Sequence, residues 1–155
     1  MGYGLEAIIC KEKLSVTITS DYTSAKRIRL KNNLFLIPYI DELYDELNEF
    51  NKSEDFEGFK LLNEKLFKYL MFKSVEEPVA YIEADYFGGV GQQSVIMIDK
   101  ENIILDVRAK DSGYGAINLI LKEFGVIRER NLDEWDTIGL LRHRHTDDWI
   151  EDAED

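Results

Sequence analysis

Apolar residues follow two different spacings along the chain, and these spacings divide the sequence into strands and helices. Short runs of alternating or β-branched apolar residues are typical of strands. In the first third of the chain, such runs occupy residues 4–10, 14–20 and 26–37. Three more runs follow one another with only short turn segments between them, at residues 79–87, 94–99 and 102–107. Because consecutive strands joined by short turns pair side by side, the second group predicts an antiparallel β-meander.

Apolar residues three and four positions apart mark one face of a helix, and this spacing appears in residues 40–50, 58–72 and 117–124. The last segment, residues 131–155, predicts a short helix, a loop and a final helical turn that begins at Thr146. Helices and strands are segregated along much of the chain. The sequence therefore predicts a single α+β domain over residues 1–155, with helices packed on the antiparallel meander.

The formal net charge of −12 narrows the classes of partner. A chain this acidic repels the nucleic acid backbone and anionic lipid, so we expect neither nucleic acid nor a membrane as partner. Carboxylates concentrate in the tail, residues 147–155, and on the polar side of the helix predicted from residue 40. The latter are Asp41, Glu42, Asp45, Glu46 and Glu49. Such a surface is either a solvated face or a binding surface for a basic protein.

Two further features predict a cytoplasmic protein. Cys10 is the single cysteine, which fits a reducing compartment. The sequence also has neither a signal peptide nor an apolar run of the roughly 20 residues needed to span a bilayer.

A glycine-rich segment, GGVGQQ at residues 88–93, joins the first two strands of the meander. It is not a phosphate-binding loop, because no Lys-Ser/Thr pair follows the glycines and a strand follows instead of a helix. One interpretation is a hairpin turn, since glycines accept positive φ angles without steric cost. The other is a ligand-binding loop.

Two carboxylates, Glu83 and Asp85, precede this segment on one face of their strand. If all six residues form a loop, Asp85 lies opposite Ile96 and Glu83 opposite Ile98. Carboxylates beside apolar residues need paired donors. They therefore indicate either an acid/base site or ion pairs with arginine.

The sequence RHRH, residues 142–145, is the nearest source of such donors, and its arginines are expected to pair with these carboxylates or with the acidic tail. We therefore expect one ligand pocket or structural clasp, formed by Glu83, Asp85, Gly88, Gly89, Gly91, Gln92, Gln93, Arg142, His143 and Arg144. A metal site at the two histidines would lack further well-placed ligands. With no catalytic signature present, we predict no catalytic residue, metal or cofactor.

The segments YIEADYFGGVGQQ and GLLRHRHTDDW resemble a pattern shared by a family of small uncharacterised bacterial proteins. This resemblance covers roughly residues 81–149 and implies a bacterial origin without implying an activity. The overall profile of a small, acidic, cysteine-poor α+β domain is also similar to that of bacterial immunity proteins, which cover the active site of a toxin.

The expected function is therefore a non-enzymatic, immunity-like or antitoxin-like protein that binds a basic partner such as a toxin, with the five carboxylates of residues 41–49 as its binding face. The alternative is a small-molecule sensor or enzyme whose pocket combines the glycine-rich segment with residues 142–145.

Overall fold

Six antiparallel strands form one sheet in the computed structural model, which describes residues 2–49, 53–87, 90–108 and 115–154. The strands are β1 (Gly2–Lys11), β2 (Ile28–Arg29), β3 (Leu34–Pro38), β4 (Val79–Phe87), β5 (Val90–Asp99) and β6 (Asn102–Val107). Their order across the sheet is β2-β3-β1-β4-β5-β6. The last three strands are the predicted meander, and the predicted α+β fold is confirmed.

Helices pack on both faces of the sheet. They are α1 (Glu12–Asp21), α2 (Asp41–Leu47), α3 (Glu64–Lys73), α4 (Ala116–Glu123), α5 (Glu134–Ile138) and a 3₁₀ helix (Thr146–Asp152). Helices α1 to α3 share one apolar core with one face, and α4, α5 and Trp149 of the 3₁₀ helix share a second core with the other. None of the helices in the described ranges is long and apolar enough to cross a membrane.

Strand alternation explains why the sheet has two cores. In β1, Leu5, Ala7 and Ile9 face the core beneath α4, whereas Ile8 and Cys10 face the core beneath α1 to α3. A central strand with apolar residues on both faces is expected when helices cover both sides of a sheet.

The strand predicted over residues 14–20 is wrong, because this segment is helix α1. Leu14 and Ile18 are buried four positions apart, which matches one helix face, while β-branched Val16 is exposed. The packing of these two apolar residues on the sheet outweighs the β-propensity of their neighbours.

The helix predicted over residues 58–72 begins later than expected, at Glu64. The side chain of Asn63 accepts a hydrogen bond from the Leu66 N–H and caps this helix. The preceding residues are a loop, anchored by the buried side chains of Phe59 and Leu62. This loop lines part of the candidate site.

Candidate functional site

The described part of the glycine-rich segment, residues 90–93, is all strand. Phe87 pairs with Val90, and Asp85 pairs with Gln92. The predicted six-residue loop, and the register that placed Asp85 opposite Ile96, are therefore wrong. Gly88 and Gly89 lie outside the described residues.

Gly91 lets the two strands of this hairpin approach closely. It pairs with Tyr86, and a side chain at position 91 would collide with Tyr86 and with the carbonyl oxygen of Asp85. Gly91 thus has a structural role, because the lack of a side chain allows its backbone to lie close to the neighbouring strand β4.

Gln92 and Gln93 were predicted to act together, but they lie on opposite faces of β5. The side-chain oxygen of Gln93 accepts a hydrogen bond from the Ile117 N–H at 2.8 Å, and its nitrogen donates to the Tyr86 hydroxyl at 2.5 Å. Gln93 is buried and ties the start of α4 to the sheet. Gln92 is exposed and lines a cavity on the other face.

This cavity lies on the face packed by α1 to α3, at the end of the sheet that these helices leave uncovered. Its floor consists of two rows of directly paired residues on β1, β4 and β5, namely Glu6–Glu83–Ser94 and Gly4–Asp85–Gln92. The loop of residues 58–60 forms part of its wall, and its volume is about 360 Å³. Carboxylates from separate strands therefore meet on one surface.

Glu83 is the buried member of this surface, and its donors come mainly from the loop. The backbone N–H groups of Lys60 and Leu61 donate to its two oxygens at 2.6 and 2.8 Å, and the Tyr81 hydroxyl donates at 2.7 Å. Burial, and next the charge of Glu83, raise the pKa of Tyr81, so the hydroxyl stays a donor. The predicted pairing of Glu83 with an arginine is wrong, because these groups already satisfy the carboxylate.

Glu6 lies directly opposite Glu83 and is half-buried. Within the described ranges, its carboxylate accepts no hydrogen bond. Burial contributes most to raising the pKa of Glu6, Lys60 acts in the opposite direction, and the charges of Glu83, Asp85 and Asp147 add to the increase. The cavity therefore holds a carboxylate with too little positive charge around it.

Arg142 and His143 bind the acidic tail, which was one of the two predicted partners for the RHRH segment. The Arg142 guanidinium lies 3.1 Å from Asp152, and the His143 ring nitrogen lies 2.9 Å from the same carboxylate oxygen. The hydrogen bonds from His143 and then Arg142 lower the pKa of Asp152. The two side chains also pack on the Trp149 ring. They form a structural clasp with Asp152 and Trp149, so neither side chain pairs with the Asp85 carboxylate.

The main chain that follows this clasp runs beside β1. The Gly4 N–H donates to the Arg144 carbonyl at 2.8 Å, and the Glu6 N–H donates to the Thr146 hydroxyl at 3.0 Å. The RHRH segment was predicted to pack near the strand of Glu83. It lies instead beside β1, which separates it from that strand.

A second cavity of about 240 Å³ adjoins the first at this position. The two cavities share Gly4, Glu6 and Lys60, and the second is also lined by Asp41, His145 and Asp147. We call the two cavities together the carboxylate groove.

The acidic face of α2 continues from this groove, since Asp41 belongs to both. Asp41, Glu42 and Asp45 of α2, and Glu49 just after the helix, are exposed, as the sequence pattern predicted. Glu46 differs because it accepts hydrogen bonds from the N–H groups of Ser24 and Thr23, at 2.8 and 3.0 Å. These backbone hydrogen bonds, with Ser24 first, lower the pKa of Glu46. Its role is therefore to hold the loop after α1.

Sequence reasoning missed Gly4, Glu6 and Lys60 as site residues, and it did not predict that Asp41, His145 and Asp147 lie beside them. One signal was available, because Glu6 is the single charged residue in the otherwise uncharged run GYGLEAIIC. A lone carboxylate in a strand whose neighbours are buried is a candidate for a site. Within the described ranges, no group of three or more His, Cys, Asp or Glu residues is arranged to hold a metal ion.

Comparisons of this chain with protein-family models, with curated proteins and with solved structures found no match. The resemblance to small bacterial proteins therefore stays a prediction.

Proposed function

We propose that this is a non-enzymatic binding protein that captures a basic partner protein, in the manner of an immunity protein or antitoxin that inhibits a toxin. The observation that carries this proposal is the charge imbalance of the carboxylate groove. Beyond the satisfied Glu83, its walls present Glu6, Asp41, Asp85 and Asp147 against the single lysine Lys60. A cationic side chain from a partner would correct this imbalance.

The position of the groove supports the same function. Asp41 connects the groove to the exposed carboxylates of α2, so one continuous acidic surface extends from a concave site to a helix face. Complementary charge of this kind increases the rate of association and orients the partner. The net charge of −12 adds long-range attraction toward a basic protein.

A small-molecule sensor or enzyme is the second candidate, and the volume of the first cavity favours it. About 360 Å³ falls within the range of roughly 300–1,000 Å³ that is common for small-ligand sites. The ligand contacts would come from Glu6, Lys60 and Gln92, because Arg142 and His143 are bound to Asp152.

Charge reversal on α2 and at Glu49, just after it, tests the proposed function. Replacing Asp41, Asp45 and Glu49 with lysine should preserve folding, because all three side chains are exposed. Partner capture from cells of the source organism, measured at increasing salt concentration, should weaken strongly in this variant, and the captured protein should be basic. Native mass spectrometry of the purified protein would detect a retained small molecule instead.

A matched control changes the net charge equally without altering the proposed surface. Replacing Glu76, Glu101 and Glu123 with lysine reverses three exposed carboxylates elsewhere. Equal weakening in both variants, or capture that is insensitive to salt, would contradict the proposal.

A further inference from the structure

Two large apolar side chains are exposed beside the carboxylate groove. Phe87 and Val90 pair directly at the end of the β4–β5 hairpin and are 77% and 75% exposed. Because side chains alternate along a strand, Phe87 shares its face with Asp85, and Val90 shares its face with Gln92. The apolar pair thus forms the next row of the surface that lines the groove.

The opposite face at the same end of the sheet is covered. There, the Tyr3 ring packs against Tyr86 and Trp135, and Tyr3 is buried. One face of the β4–β5 hairpin is therefore packed. The other face leaves Phe87 and Val90 exposed to solvent. Contiguous exposed apolar surface that is rimmed by polar residues is typical of interaction sites.

We propose that this uncovered face is the docking surface itself, and that it accepts an arginine side chain of the partner protein between Glu6 and Asp85. This inference rests on the proposed function and specifies its site. Glu6 and Asp85 lie diagonally on neighbouring strands, about 7 Å apart by sheet geometry. A guanidinium group between them offers donors in a fixed fork that matches carboxylate oxygens. Apolar residues beside the arginine then pack on Val90.

The Phe87 ring adds a reason for arginine over lysine. A guanidinium plane stacks on an aromatic face and is more weakly hydrated than an ammonium group, so it loses less on entering a partly buried site. An acidic or uncharged segment would leave Glu6 uncompensated.

Lys60 acts as an internal competitor in this arrangement. It is exposed, it lines both cavities, and its positive charge opposes the rise in the pKa of Glu6. A docked arginine would take over from Lys60 the role of the cation that acts on Glu6. Removing the lysine charge should therefore strengthen binding, which a purely structural role would not predict.

A titration of the ¹⁵N-labelled protein with short peptides tests the inference. The probe is acetyl-Leu-Arg-Leu-amide, and the matched controls carry lysine or glutamate in the central position. Chemical-shift changes with the arginine peptide should cluster at Gly4, Glu6, Asp85, Val90 and Gln92. The lysine peptide should bind more weakly, and the glutamate peptide should cause no clustered change.

Four variants sharpen the result. Glu6→Gln or Asp85→Asn should weaken arginine-peptide binding about tenfold, as expected for a lost charge-assisted contact. Lys60→Gln should strengthen binding severalfold. Gly4→Leu should block it without a change in charge, because no atom lies within 4 Å of a Cβ placed at Gly4. Unchanged amide shifts of β2 and β3 confirm that each variant is folded.

The outcomes separate this inference from the proposed function. Shifts confined to α2, or equal binding of all three peptides, would overturn the docking site and leave the basic-partner proposal standing. If neither cationic peptide causes chemical-shift changes, the docking site is also overturned. If, in addition, partner capture survives the α2 charge reversal, then the proposed function fails as well.

Discussion

The two faces of the sheet differ most at the end where β1, β4 and β5 extend beyond α1 to α3. On the packed face, the Tyr3 hydroxyl donates to the Leu140 carbonyl at 2.7 Å, and its ring lies 5.1 Å from that of Trp135. On the open face, no described residue covers Glu6 or Phe87 to a comparable extent. Glu6 is half-buried and Phe87 is exposed.

Under the proposed function, one hairpin serves stability on one face and recognition on the other. Strand alternation sends Gln93 into the packed face and Gln92 onto the open face, although the two are neighbours in sequence. Substitutions on the packed face should therefore change the free energy of unfolding, whereas those on the open face should change binding.

The largest expected effect is at Tyr3. Tyr3→Ala removes a buried aromatic ring and should lower the free energy of unfolding by about 3–5 kcal/mol. Tyr3→Phe keeps the ring but leaves the Leu140 carbonyl unpaired, which should cost about 1–3 kcal/mol. Phe87→Ala, the open-face control, should stay within about 0.5 kcal/mol of the parent. Urea unfolding measures all three, and an equally large loss at Phe87 would remove the distinction between the faces.

Glu83 provides the exception on the open face, because it is buried there. Glu83→Gln replaces one acceptor oxygen with an amide group that cannot accept from the Lys60 or Leu61 N–H. The expected cost is about 1–3 kcal/mol. Asp85→Asn, the isosteric control in the neighbouring exposed position, should change the free energy of unfolding by less than about 0.5 kcal/mol. Equal costs in the two variants would show that the loop does not depend on Glu83.

Gly91 and Gly4 differ in the space that a side chain would have, because Gly91 lies against β4 and Gly4 faces open space. A side chain at Gly91 meets the backbone of β4, so Gly91→Ala should destabilise the protein by about 1–3 kcal/mol. Gly4→Ala points a methyl group into the groove and should be neutral or slightly stabilising, because alanine loses less backbone entropy on folding. Thermal unfolding of the two variants provides the measurement. A tolerated Gly91→Ala would contradict the close approach.

The smallest expected effect is the pH dependence caused by Glu6. Because its pKa is raised in the folded protein, the folded state binds more protons than the unfolded state between the ordinary and the raised value. Stability contributed by this group therefore falls as pH rises through that interval, and the full penalty is present above the raised value. Glu6→Gln should be slightly more stable than the parent at pH 7, and the difference should vanish below the ordinary pKa of glutamate. Urea unfolding across this pH range measures the difference, and a constant difference would contradict the assignment.

Local patterns in the sequence were sufficient for much of the fold. The alternation in residues 79–107 predicted the meander, and the spacing of Ile117, Ile120 and Leu121 predicted α4. Gly125 follows this helix with a φ of 91°, the left-handed conformation expected after a helix end. These features depend on residues close together in the chain, so a single-sequence pattern contains them. The acidic face of α2 was predictable for the same reason, except at Glu46.

The site depended on contacts that no local pattern contains. The sequence identified Glu83 as a carboxylate in need of donors, but it did not reveal that these would be backbone amides of a loop some 22 and 23 positions away. It also did not set the hairpin register, because the glycine-rich segment is compatible with either a long loop or a tight turn.

The sequence by itself determined the class of fold and the acidic character of the surface. Only the tertiary structure decided where that charge is concentrated. The carboxylate groove combines β1, β4, the loop of residues 58–60 and the segment before Trp149, all distant in sequence. The physical reason is that strand pairing sets which side chains share a surface, and helix packing sets which part of that surface remains open.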